Sequence, residues 1–154
     1  MTVERTLSII KPDAVANRLC GEILARFEKN GLTVAALKML TLSRQQIEEI
    51  YGIHEGRPYY PDLLQFMASG PSVAVVLEGE NAIERNRAIM GNTDPTLAAP
   101  GTIRADFGTA ANRNAVHGSD GPQSARAEIA SLFGPEEFPL STTDGEQRYQ
   151  SARA

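Results

Sequence analysis

"SVAVVLEG", residues 72–79, is strongly apolar and reads as a β-strand. The fold follows from what lies on either side of it. Immediately upstream, "RPYYPDLLQFMASG" (57–70) has the pattern of a helix, with Pro58 near its start. Immediately downstream, "NAIERNRAIMG" (81–91) predicts a helix ending at Gly91. Further upstream, Ser43 and Gln46 form an S-x-x-Q capping box that opens a helix through about Ile50. Two helices therefore separate this strand from "LTVAALKML" (32–40), a second strand. Before that, "GEILARFEKNG" (21–31) sets Ile23, Leu24 and Phe27 at helical spacing with Gly31 as the stop. "TLSIIK" (6–11) is a β-branched-rich strand stopped by Pro12. On the other side, residues 92–113 show little periodicity and hold Pro95, Pro100, Gly101 and Gly108. A loop of that length is usually functional. "NAVH" (114–117) suggests a fourth strand, and Ser119 or Asp120 caps a last helix with Ala125, Ile129 and Leu132 on one face. The order suits a small sheet with helices packed on it.

The 154 residues favour a single domain over 1–154, with a polar, peripheral tail from about residue 141. An apolar fraction of 42% is that of an ordinary globular chain. The net charge is −4 and no long basic run occurs, so the footprint of a nucleic-acid binder is missing. One cysteine, Cys20, allows no disulfide within the chain, and with two histidines a structural zinc site is not expected. The opening "MTVERTLSIIKPD" reads neither as a signal peptide nor as a membrane span, which makes the cytoplasm the expected compartment.

Three charges fall where the apolar pattern runs. Lys11 shares a strand face with Leu7 and Ile9. Arg87 lies beside Ile83 and Met90 on its helix, and Glu128 sits at the edge of the last helix's apolar stripe. Each could reach the surface along its own stem. Taken with Arg104 in the long loop and His117, they look more like a polar pocket whose cations suit a phosphate-bearing ligand. The patterns G-x-x-x-x-G-K-[ST], G-x-G-x-x-G and G-x-S-x-G are absent, so no glycine-rich cradle or serine elbow is at work. A group able to attack phosphorus near neutral pH is then required. A lone histidine is more often a packed or capping residue, but the cations and Glu128 around His117 favour a nucleophile.

"SIIKPDAV", "RPYYPDLLQFMASGPSVAVVLEGENA", "GNTDP", "PGTIRADF" and "NAVHGSD" together resemble nucleoside diphosphate kinase, in the right order over roughly residues 4 to 138. The pair "HGSD" and "PGTIR" is highly specific. The resemblance implies an α+β, ferredoxin-like βαββαβ fold: a four-stranded antiparallel sheet with helices packed on it and an inserted helical pair. It implies ping-pong transfer of a γ-phosphate from a nucleoside triphosphate to a nucleoside diphosphate through His117. Lys11 matches the lysine reaching phosphate and ribose, and Tyr51 the tyrosine beside the histidine. Arg87, Thr93 and Arg104 match the phosphate-holding set, and Asn114 a ribose contact. Ser119 and Glu128 match the groups that orient the histidine, and His54 falls near the α-phosphate, where the family varies. Mg²⁺ would arrive bridging the nucleotide's phosphates, without a cage of protein ligands. Homo-oligomers built on a common dimer are implied, tetramers or hexamers, with the bacterial tone of "SIIKPDAVA" and "LEGENA" tilting toward a tetramer.

Tyr59 stands where phenylalanine is usual in the base-stacking position, Ala14 follows "KPD" where glycine is common, and the tail after Leu140 matches poorly. "RPYYPDLL" offers Tyr59 and, one turn on, Leu63, with no set of Asn, Gln or Asp aimed at a base edge. Base selectivity should therefore be low, and Tyr59→Phe nearly silent. Two rivals keep the same cations: a nucleotide-sensing module that needs no nucleophile, and a phosphatase-like hydrolase using the same phosphohistidine.

Overall fold

The computed structural model describes residues 3–139. The chain runs β1 (Val3–Ile10), α1 (Pro12–Ala16), α2 (Cys20–Lys29), β2 (Thr33–Leu40), α3 (Arg44–Tyr51), α4 (Tyr60–Ala68), β3 (Ser72–Glu80), α5 (Ala82–Met90), α6 (Ile103–Phe107), β4 (Val116–Gly118) and α7 (Pro122–Leu132). The strands form one four-stranded sheet in the order β2-β3-β1-β4, with every neighbouring pair antiparallel. This is the expected ferredoxin-like sheet, with α3 and α4 inserted between β2 and β3.

Side-chain alternation explains why β3 is apolar without a break from Val73 to Leu77: both of its faces are covered there. Ala74 and Val76 join Leu7 and Ile9 of β1 in a core with Ile47 and Ile50 of α3, Leu64 and Met67 of α4 and Leu132 of α7. Val73, Val75 and Leu77 face the other way, onto Ile23 and Phe27 of α2, Ala82 and Met90 of α5, and Ile103 of α6. A register shift between Val34 and Ala36 lets both Ala35 and Ala36 face the first core. The capping box at α3 is made: Gln46 N–H donates to Ser43 Oγ at 3.1 Å, and Ser43 N–H to Gln46 Oε1 at 2.9 Å.

Four local expectations are corrected. The helix expected from residue 57 begins at Tyr60, and its early proline is Pro61 rather than Pro58. The long loop contains α6 and a short 3-10 turn at Pro95–Leu97, each opened by a side-chain cap, from Thr102 and Asp94. Neither Ser119 nor Asp120 caps α7; its N-cap is Gly121, followed by Pro122. Ser124 Oγ accepts from Gly121 N–H at 3.0 Å and donates to Asp120 Oδ1 at 2.6 Å. On α5 the buried polar residue is Asn86, while Arg87 is exposed. The short α1 was not foreseen at all. The tail expected to be peripheral from about residue 141 lies outside the described residues.

Candidate active site

β4 is only three residues long, yet its register decides the site. Ile9 of β1 pairs with His117. Alternation sends Val116 into the core under α2 and α5, and His117 to the opposite face, beside α3 and α7. The chain enters β4 through an unusual turn. Ala115 has φ of 73°, and Val116 N–H donates to Asn114 O at 2.9 Å, closing a γ-turn that a side chain rarely adopts. Asp13 and Lys11 fix it: Ala115 N–H donates to Asp13 Oδ2 at 3.0 Å, and Lys11 N–H to Ala115 O at 2.8 Å. A strained residue persists only where its surroundings over-determine it, and such residues cluster at functional sites. After His117, Gly118 packs closely: a Cβ there would lie 2.5 Å from Asn86 Nδ2 and 2.8 Å from Met90 Sδ, so these buried side chains would have to shift.

His117 and Glu128 are joined by a hydrogen bond of 2.7 Å between Nε2 and Oε1. Buried Ser119 donates from Oγ to the same Oε1 at 2.9 Å. Glu128 is thus held by a neighbour while it holds the ring. The Tyr51 ring meets the imidazole edge-on, with centroids 5.1 Å apart. Burial holds His117 below the ordinary imidazole range, against the opposing pull of Glu128, and Lys11 and Arg104 add to the lowering. The ring is therefore neutral near pH 7. With Nε2–H donating to the carboxylate, the lone pair is on Nδ1, which makes no hydrogen bond among the described residues.

Cations surround the His117 side of a cleft of about 850 Å³, which His117, Lys11, Tyr51, Arg87, Arg104 and Asn114 line together. Lys11 follows β1, is 5% exposed, and donates from Nζ to Asn114 Oδ1 at 2.8 Å. Burial, with Arg104 nearby, pulls its ammonium down to about 7. Asn114 in turn donates from Nδ2 to the backbone carbonyl of Thr93 at 3.0 Å. Arg104, on α6, is 6% exposed and pinned by Nη2 to Val116 O at 2.9 Å and by Nη1 to Gly91 O at 3.1 Å. Burial and Arg87 push it down to about 10, so it stays charged at neutral pH. Exposed Arg87 reaches Gly118 O from Nη1 at 3.4 Å. Burial raises the Tyr51 hydroxyl well above the phenol range, and the Glu128 carboxylate adds to this. Its oxygen is buried without a partner among the described residues.

The far end of the cleft holds His54, Tyr59 and Leu63. Leu63 is buried, whereas Tyr59 is 38% exposed and its hydroxyl lies 2.6 Å from His54 Nδ1. Eleven of the twelve residues singled out from the sequence therefore line one cleft, and the twelfth, Ser119, is buried against Glu128. Sequence reasoning missed Asp13 and Asn86, and the bond between His54 and Tyr59. The one available signal for Asp13 was its place directly after the strand-ending Lys11-Pro12.

Comparison with known proteins places the chain among its relatives. A family model described as "Nucleoside diphosphate kinase" matches residues 4–138. A nucleoside diphosphate kinase of Coxiella burnetii is 59% identical over 137 residues, which is 89% of this chain and 95% of that protein. One from Wolinella succinogenes is 58% identical over 136 residues, 88% of this chain and 99% of that protein. Among solved structures, the Aquifex aeolicus nucleoside diphosphate kinase superposes with a TM-score of 0.86 at 48% identity, covering 89% of this chain and 99% of that one. The same enzyme from Encephalitozoon cuniculi gives a TM-score of 0.86 at 38% identity, covering 94% of this chain and 98% of that one. Fold, sequence and the matched span agree, and the chain belongs to the nucleoside diphosphate kinase family of phosphotransferases.

Proposed function

We propose that the chain transfers a phosphoryl group between nucleotides by a ping-pong reaction through a phosphohistidine at His117. The observation that carries this is the 2.7 Å bond between His117 Nε2 and Glu128, which leaves Nδ1 as the free nitrogen in a cationic cleft. In the first half-reaction the Nδ1 lone pair attacks the γ-phosphorus of a nucleoside triphosphate. The bond from that phosphorus to the β–γ bridging oxygen breaks, and the nucleoside diphosphate leaves with the electron pair. Positive charge develops on the imidazole, and Glu128 stabilises it through Nε2–H. In the second half-reaction a terminal phosphate oxygen of another diphosphate attacks, the N–P bond breaks, and the neutral ring returns. Arg104, Arg87 and Lys11 hold the phosphates while this happens, with Thr93 and Asn114 beside them. Phosphoryl transfer asks the protein mainly for such positioning and charge stabilisation.

A cleft lined by cations, with no convergent group of three His, Cys, Asp or Glu side chains among the described residues, fits a metal that arrives on its nucleotide. Mg²⁺ bound to the phosphates would neutralise part of their charge. Tyr59 and Leu63 offer a face to the base and no polar set, which favours adenine, guanine, cytosine and uracil nucleotides alike.

A homo-oligomer built on a dimer belongs to the same reading, with a tetramer favoured. Its support is β2, an edge strand that exposes Leu37 at 50% and Met39 at 61%. No helix among the described residues is long and apolar enough to cross a membrane. We place the enzyme in the cytoplasm.

Initial velocities test the ping-pong scheme. Varying the triphosphate at several fixed diphosphate concentrations should give parallel double-reciprocal lines, and label should exchange between ATP and ADP with no other acceptor present. Intersecting lines with no such exchange would replace the scheme with direct transfer.

A further inference from the structure

The four rings along the cleft stand in a defined order. Tyr51 lies 5.1 Å from His117 on one side and 6.5 Å from His54 on the other, and His54 lies 5.5 Å from Tyr59. A ligand with phosphorus at His117 and its base at Tyr59 must therefore carry its phosphates past His54. His54 has two ring nitrogens, and one is already engaged: Nδ1 sits 2.6 Å from the Tyr59 hydroxyl. Burial, with His117, Lys11 and Arg57 around it, holds His54 below the ordinary imidazole range, so the ring is neutral near pH 7. Two arrangements of a neutral ring are possible, with Nδ1 accepting the phenol proton or donating its own. A phenol O–H is in general a better donor than a neutral imidazole N–H, and an imidazole lone pair a better acceptor than a phenol oxygen, which favours the first arrangement. With the phenol as donor, the ring's proton is on Nε2.

We infer that the Tyr59 hydroxyl is a positioning group: it locks His54 in the Nε2–H tautomer, presenting a donor to the phosphate chain of the bound nucleotide. The inference rests on the nucleotide reading of the cleft given above. It assigns Tyr59 two separable jobs, a face for the base and a hydroxyl that acts on phosphate through His54. A phenylalanine would keep the first and lose the second. On this inference Tyr59→Phe is not silent, whereas a reading of the ring alone expects it to be nearly so. Freed of the hydroxyl, His54 can populate the other tautomer and turn an acceptor lone pair toward the phosphates.

The test has two arms. Isotope-edited NMR of the histidine side-chain nitrogens, on the full chain without nucleotide, should show His54 as the Nε2–H tautomer and a tautomer mixture in Tyr59→Phe. An Nδ1–H ring in the parent protein, or no change on substitution, overturns the inference. This arm needs no activity, so it is separable from the kinase reading, whose own failure would show as no phosphoenzyme in the parent protein. In the second arm, KM for ADP and ATP should rise roughly three- to tenfold in Tyr59→Phe, the factor that one lost net hydrogen bond gives, with a smaller change in kcat. The inhibition constant of adenosine, which lacks phosphate, should stay within about twofold, since the stacking face is kept. In a His54→Ala background the same substitution should leave KM unchanged. An equal rise in both backgrounds, or an adenosine effect as large as that on ADP, would place the hydroxyl's action on the base and overturn the inference.

Discussion

The His117 end of the cleft and the Tyr59 end differ first in exposure. Around His117, Lys11, Arg104, Ser119 and Glu128 are all buried, and each has at least one hydrogen-bond partner. Around Tyr59 the cleft is more open: Leu63 is buried, but Ile53 is 82% exposed and Tyr59 itself 38%. Buried charges are costly unless fixed by partners, so the first end tolerates little displacement of any group. An open aromatic face asks for no such precision, because every base presents a π-face. On the proposed function, accuracy at one bond and indifference to the base are demands met at separate ends of the cleft.

The comparison predicts that substitutions fall in size along the cleft. Arg104→Ala should give the largest loss short of removing His117 itself. Its guanidinium is buried and pinned to the carbonyls of Gly91 and Val116. Losing a charge-assisted contact near a transition state costs on the order of 2–4 kcal/mol, a slowing of two to three powers of ten or so in phosphorylation of His117. A near-parental rate in a rapid-quench experiment would move Arg104 out of the reacting centre.

Glu128→Gln should come next. The amide keeps the shape and can still meet Ser119, but it loses the charge that steadies the imidazole. Turnover should fall by roughly one to two powers of ten, with KM much less affected, as expected when orientation is lost. Unchanged turnover with a lowered melting temperature would make Glu128 a packing residue instead.

At the open end, Tyr59→Ala should weaken ADP, GDP, CDP and UDP together by about tenfold, purines somewhat more, on the lower side of the roughly 1–3 kcal/mol of a stacked base. A strict preference for one base, abolished by changing a single polar side chain, would break the contrast between the two ends.

The smallest effect is a fraction of a proton. Lys11 stands near 7 in the free protein, so above that pH part of it is neutral. A bound phosphate favours the ammonium, and binding should therefore take up protons and weaken as pH rises through the window above 7. Calorimetry of ADP binding at about pH 8 in buffers of different ionisation enthalpy should register net uptake. Proton release, or no linkage, would mean that Lys11 does not meet the phosphates.

The fold was largely legible because its signals are local or periodic. The apolar run of β3, the Ser43–Gln46 box and the Gly91 stop are each written within a few residues. The site's charges were legible because Lys11 and Glu128 interrupt apolar patterns. Arg87 shows the limit of that logic: it was singled out by its spacing from Ile83 and Met90, yet its helix buries Asn86 instead. One position of rotation separates the two, which spacing alone does not resolve. The γ-turn at Ala115 left no trace, since alanine gives no sign of a positive φ and its causes, Asp13 and the Lys11 backbone, are about a hundred residues away. The Tyr59–His54 bond was missed because it turns on a hydroxyl whose neighbour is set by a 3-10 turn, Gly52–His54, that follows α3.

The measurement that bears most directly on the account is isolation of the phosphoenzyme. Incubating the protein with Mg²⁺ and γ-labelled ATP should yield one acid-labile, alkali-stable label per chain, mapped to His117, and folded His117→Ala should take none. The isolated species should pass its label to ADP, GDP, CDP and UDP far faster than to water. Label on a serine or an aspartate, or discharge by water at a rate comparable with any diphosphate, would contradict the account.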